Sequence, residues 1–221
     1  MIRPAAPIAA LLGALLSACS PAQILNATVS DAGVRMEAGI SYGDGPRRQL
    51  DIYRPVADAA GRPLVVFLYG GSWRTGDRAE YAFVARPLAR RGAVVVVPDY
   101  RLYPDVAFPG FLDDSAQAVA WAVANAAGLG ADPRRVFVVG HSAGAYNAAM
   151  LAVDPRWLGG AGLDRTAIAG VVGIAGPYDF LPLTGNTVAV FAPADGPETQ
   201  PVTYVDGRNP PLLLLAGDAD T

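Results

Sequence analysis

The segment Val136-Phe-Val-Val-Gly140-His141-Ser142-Ala143-Gly144-Ala145-Tyr146-Asn147 passes from four consecutive apolar residues, through a serine flanked by two glycines, into a run of small residues. Four apolar residues without polar alternation predict a strand buried on both faces. The small-residue run that follows suits a helix, so the G-x-S-x-G pattern falls on a strand-to-helix turn. Such a turn strains the backbone at Ser142 and holds its hydroxyl clear of the sheet, beside the positive end of the next helix. The glycines two positions before and two after let strand and helix approach without side-chain collision. Ser142 is therefore the candidate nucleophile.

Outward from this segment the chain alternates short apolar runs with helical stretches, which predicts an α/β fold with a mainly parallel sheet and helices on both faces. Leu64–Tyr69, Ala93–Pro98, Val136–Val139, Ile168–Ile174 and Leu212–Ala216 read as buried strands. Val34–Tyr42 and Gln49–Arg54, joined across Gly43-Asp44-Gly45-Pro46, read as an opening antiparallel hairpin. Helices are expected over Tyr81–Arg91, kinked or divided at Pro87, and over Asp113–Ala127. The Pro- and Gly-rich stretch 176–211 has no clear periodicity and is expected to form a cap-like insertion over the site. One domain, residues 34–221, holds all of these elements.

Acyl transfer needs donors for the charge that develops on the attacked carbonyl oxygen, and backbone N–H groups in a glycine-rich loop after an early strand supply them. Tyr69-Gly70-Gly71-Ser72-Trp73 has that form, so Gly71 and Ser72, with Ala143 after the nucleophile, are the expected oxyanion-hole residues. A carboxylate at the end of a later strand would orient a histidine and stabilise its imidazolium. Leu212-Leu-Leu-Leu-Ala-Gly217-Asp218-Ala219-Asp220 offers two candidates, Asp218 and Asp220. The single histidine, His141, adjoins Ser142 in a tight turn, where the two side chains point in different directions.

Composition narrows the function classes. With 52% hydrophobic and 17% charged residues in 221, the chain can bury one substantial core. A net charge of −3 and the lack of any Lys/Arg cluster exclude nucleic acid as a partner. One cysteine excludes an internal disulfide and a cysteine-based metal cage, and no metal or cofactor is implied. That cysteine ends an apolar run, Ile8–Leu16, of signal-peptide length behind Arg3. Leu16-Ser17-Ala18-Cys19-Ser20 resembles a bacterial lipobox. It implies export, a lipoprotein signal peptide over 1–19 ending at the lipobox cysteine, Cys19 as the lipidated first residue of the mature protein and attachment to a membrane surface, with 20–33 as a tether. Ser20 after the cysteine favours the periplasmic side of an outer membrane.

Taken together, Y-G-G-S-W-R, P-D-Y-R-L-Y-P, F-P-x-F-L-D-D, G-H-S-A-G-A-Y-N-A and G-x-x-D resemble the α/β-hydrolase carboxylesterases over about residues 36–221. The group that includes kynurenine-formamidase-like and prenylcysteine-methylesterase-like enzymes is the most similar. The resemblance implies the α/β-hydrolase fold and hydrolysis of a small-molecule carboxylic ester through an acyl-enzyme on Ser142. It selects Asp220, three residues past Gly217, as the acid, and it suggests that Asp99, Tyr100 and Arg101 brace the site. It places Tyr69 where the family carries a histidine in the loop, and packing beneath the nucleophile at His141. It also implies a catalytic histidine several dozen residues beyond Thr221, so the fold is expected to be C-terminally incomplete and the chain as given to be inactive or nearly so. A non-catalytic lipoprotein that keeps the hydrolase shell for binding, and an N-formyl amide hydrolase, are the alternatives.

Overall fold

The structure is a computed structural model that describes residues 21–218. Its centre is a seven-stranded sheet: β1 (Val34–Ser41), β2 (Gln49–Pro55), β3 (Arg62–Leu68), β4 (Val94–Pro98), β5 (Ala131–His141), β6 (Gly170–Ile174) and β7 (Leu212–Leu215). They lie in the order β1-β2-β4-β3-β5-β6-β7. β1 and β2 form the expected antiparallel hairpin, and β2 runs antiparallel to β4. From β4 to β7 every pair is parallel, with Val66 opposite both Val96 and Val138. This is the α/β-hydrolase fold expected from the alternating pattern.

Period-two geometry explains why the central strands read as unbroken apolar runs. Val94 and Val96 enter one core, Val95 and Val97 the other, and all four are buried. On the first face lie α3 (Gly110–Asn125), α4 (Ala143–Val153) and α5 (Pro155–Gly160), through Ala116, Val119, Ala122, Ala148 and Leu151. On the second, α2 (Ala82–Arg90) buries Ala82, Ala85 and Ala89. That helix continues past Pro87 rather than dividing there. The hydrogen bond lost at proline is offset by three alanines seated on the sheet.

The segment expected to be a tether is partly helical: α1 spans Pro21–Ala27. Its Asn26 side chain donates to the Ala79 carbonyl at 2.9 Å and accepts from Phe83 N–H at 2.8 Å, so α1 is fastened to the domain. In the stretch 176–211, helix α6 (Asn186–Phe191) and two 3-10 turns appear, with Val190 and Phe191 fully buried. Among the described residues no helix is long and apolar enough to cross a membrane.

Candidate active site

The order of the strands decides where a ligand can sit. The chain leaves β3 for β4 on one side and comes back to β5 on the other, so the carboxyl ends of neighbouring β3 and β5 flank a crevice. Two of the sequence motifs occupy those ends. The loop 69–73 follows β3, and Ser142 follows β5.

Ser142 is the turning point between β5 and α4, with φ 53° and ψ −120°. A non-glycine residue in that region costs about 1–3 kcal/mol and persists only where its surroundings hold it. Here Ser142 N–H donates to the Ile174 carbonyl at 2.8 Å, while its own carbonyl accepts from Ala145 and Tyr146 at 2.9 and 3.1 Å. The turn closes because two side chains are absent. A Cβ on Gly140 would lie 2.2 Å from the Gly144 carbonyl oxygen, and one on Gly144 would lie 2.0 Å from that of Leu68. α4 is thereby seated against the ends of β5 and β3 together, with Ser142 half-buried at its positive end.

Across the crevice, Gly71 has φ 130°, and a Cβ there would fall 2.1 Å from the Thr75 carbonyl oxygen. Ser72 and Trp73 follow at φ 53° and 57°, both in the left-handed region. The Gly71 carbonyl accepts from Arg74 and Thr75 N–H at 3.0 and 3.1 Å, which closes the loop into a tight turn. Among the described residues, the N–H groups of Gly71, Ser72 and Ala143 make no hydrogen bond. Free N–H groups at a helix start and a nearby loop suit a developing oxyanion.

Beneath the loop lies a network that sequence reading only partly anticipated. The Tyr69 hydroxyl donates to Asp99 Oδ1 at 2.7 Å and accepts from Arg47 at 2.6 Å, while the Tyr100 hydroxyl donates to the Tyr69 carbonyl at 2.7 Å. Asp99, 2% exposed, also accepts from the Arg78 backbone at 2.9 Å and pairs with its guanidinium, which reaches Asp51 at 2.8 Å. Burial first, then Tyr100 and Asp99, pushes the Tyr69 phenol well above its ordinary value, so it stays a donor. Asp99 and Tyr100 thus brace the loop as the resemblance suggested, whereas Arg101 pairs with Asp114 instead. Arg47 and Arg78 went unrecognised, because no local pattern marks a cation whose partner lies tens of residues away.

A second set of contacts surrounds Trp73. Its indole N–H donates to Asn147 Oδ1 at 2.9 Å, and its ring packs against Phe111, Tyr146, Phe180 and Phe191. The stretch 176–211 therefore rests on the loop 69–73 through Phe180 and Phe191. Tyr178 lies over the end of β6 against Gly173 and Gly176, and Asp179 is exposed.

His141 is exposed rather than packed beneath Ser142, and it lines an apolar cavity of about 780 Å³ with Phe67, Tyr81, Val139 and Ile174. Among the described residues no hydrogen bond joins it to Ser142. Asp218 is exposed in the turn after β7, on the same sheet edge as Ser142. Asp220 and Cys19 lie outside the described residues.

Against known proteins, the family model BD-FAE matches residues 50–221. The isoprenylcysteine alpha-carbonyl methylesterase of Arabidopsis thaliana is 33% identical over 156 residues, 69% of this chain and 36% of that protein. Esterase LipC of Mycobacterium tuberculosis is 32% identical over 207 residues, 82% of this chain and 50% of that protein. The chain thus spans half or less of the length of these two relatives. The crystal structure of esterase B from Lactobacillus rhamnosis superposes with a TM-score of 0.76 at 23% identity, covering 94% of this chain and 73% of that one, a likeness of fold. With the strand order, the elbow at Ser142 and the loop across from it, these matches place the chain in the BD-FAE family of α/β-hydrolase carboxylesterases.

Proposed function

We propose that this protein hydrolyses carboxylic esters through an acyl-enzyme on Ser142. The observation that carries the reading is the strained elbow itself, which sets Ser142 at the carboxyl end of β5, next to β3, whose following loop holds the free N–H groups of Gly71 and Ser72. In the first step Ser142 Oγ attacks the ester carbonyl carbon and its proton passes to a histidine base. The carbonyl oxygen becomes an oxyanion held by Gly71, Ser72 and Ala143, each donor contributing about 3 kcal/mol to the transition state. The carbon–oxygen bond to the alcohol then breaks, and the alcohol leaves with the proton. Water attacks the acyl-serine by the same route and releases the acid. Asp220, which follows Gly217 by three positions in the sequence, is assigned to orient the histidine. Short-chain or aryl esters are the proposed substrates.

His141 does not serve as the base in this reading, because it faces an apolar cavity. It is the single histidine of the 221 residues, so these residues alone should turn over esters only at a residual rate, about 10⁶-fold below a complete triad. Steady-state hydrolysis of p-nitrophenyl acetate by the full-length protein should be abolished by Ser142→Ala. Turnover retained in that variant would rule the mechanism out, and absence of turnover in the parent would favour a binding protein built on the same shell. A higher rate on an N-formyl amide than on the ester would move the substrate assignment without changing the chemistry.

Cys19 is proposed to carry the lipid of an exported protein held at the periplasmic side of an outer membrane. The lipobox-like Leu16–Cys19 supports this, each buried CH₂ of an acyl chain contributing about 0.8 kcal/mol.

A further inference from the structure

We propose that Trp73 and Asn147 are positioning residues that fix the distance between the two halves of the oxyanion site, an inference that rests on the serine-hydrolase reading above. The two halves come from different elements. Ser72 belongs to the loop after β3, whereas Ala143 begins α4; Gly144 packs the start of α4 against the end of β3, but among the described residues no backbone hydrogen bond joins Ser72 or Trp73 to α4 across the remaining gap.

The Trp73–Asn147 hydrogen bond crosses that gap. Trp73 is the residue after Ser72, and Asn147 lies one helical turn beyond Ala143, on the same face of α4. The indole N–H donates to Asn147 Oδ1 at 2.9 Å with both side chains buried, 3% and 0% exposed. The amide cannot turn its nitrogen toward the indole without losing a second bond, because Asn147 Nδ2 donates to Ser115 Oγ at 3.2 Å. Ser115 Oγ in turn donates to the Phe111 carbonyl at 2.7 Å, which ties the amide to α3. At the other end, the Trp73 carbonyl accepts from Tyr103 N–H at 2.8 Å, and its ring meets Tyr146 and Phe191 edge-on at 5.2 and 5.0 Å.

A tryptophan that only filled space could satisfy its N–H with a carbonyl of its own loop. Here the partner is a side chain 74 positions away on the helix that carries the second donor. The loop also needs an external hold, since Ser72 and Trp73 sit at φ 53° and 57° without the freedom of glycine. A buried bond between the end of that strained pair and the nucleophile helix converts the loop position into a fixed spacing of N–H donors. Misplacement of reacting groups by about 1 Å is enough to cost a hundredfold in rate.

The test separates positioning from stability. Trp73→Phe removes the N–H and keeps a ring; Asn147→Leu removes the amide at similar volume; each single variant leaves one buried polar group unpaired. The double variant W73F/N147L leaves neither partner orphaned and should recover much of the melting temperature lost in the singles. The expected result in the full-length protein is a double variant with kcat for p-nitrophenyl acetate still reduced about 10- to 100-fold and KM changed by less than about threefold. Recovery of kcat together with melting temperature would overturn the proposal, as would a raised KM at unchanged kcat. Should the double variant not fold, Trp73→Phe decides alone, a kcat within about threefold of the parent overturning it. Ser142→Ala measured alongside keeps the two readings apart. Turnover that survives in Ser142→Ala removes the serine mechanism, whereas turnover lost there but intact in W73F/N147L removes only the strut.

Discussion

Tyr69 and Asp99 meet 2.7 Å apart below the proposed oxyanion loop, and Arg47 and Arg78 close around them. With Asp51 the cluster holds two carboxylates and two guanidiniums, so its charges cancel only while both acids stay ionised. Asp99→Asn would leave two cations facing one carboxylate. Because both arginines keep some solvent contact, a loss near the low end of the range for broken buried pairs, about 3 kcal/mol, is expected in urea unfolding at neutral pH. The Tyr69 phenol makes a separate prediction at high pH. Its folded-state pKa is raised by burial, so above about pH 10 the unfolded chain loses the proton while the native state keeps it, and stability falls as pH rises. Tyr69→Phe should therefore flatten the decline of the urea unfolding free energy between pH 9.5 and 11, by about 1.4 kcal/mol per pH unit at most. An unchanged slope would mean that Tyr69 titrates alike in both states. Ser142, Gly71, Ser72 and Asp99 were legible because they sit in short motifs at strand ends. Arg47, Arg78 and Asn147 were not, since what makes them part of the site is a partner supplied by the fold.

Elements differed in legibility for a similar reason. The parallel strands stand out as apolar runs, but β5 begins five residues before the expected Val136, and β7, at the sheet edge, leaves Leu213, Leu214 and Leu215 exposed where a buried strand was expected. α5 was missed although Asp154-Pro155 marks its start, the Asp154 side chain accepting from Arg156 N–H. α6 was hidden because its buried residues, Val190 and Phe191, are adjacent and show no helical period over six residues. α1 changes the picture of attachment. It begins two residues after Cys19 and is bonded to the domain through Asn26, which leaves little slack between the proposed lipid and the hydrolase body. Cys19→Ser is expected to move the protein from the membrane pellet to the soluble fraction of the envelope without loss of specific esterase activity. A variant that stays in the pellet would show that something other than this cysteine holds it.

At the scale of the whole molecule, the sheet gathers the candidate groups among the described residues along one edge. β3 and β4 deliver the loop and its brace, β5 delivers Ser142, and β7 ends at the acidic turn of Asp218. The alternating pattern foretold this layout, whereas the way residues 176–211 lean on Trp73 emerged only from tertiary packing. The claim on which the rest depends is that the elbow serine is an activated nucleophile. Mass spectrometry of the full-length protein after treatment with a fluorophosphonate, followed by peptide mapping, tests it most directly. The account predicts one adduct, on Ser142, formed in parallel with loss of esterase activity and absent from Ser142→Ala. An adduct on another residue, or full activity with Ser142 unmodified, would contradict it.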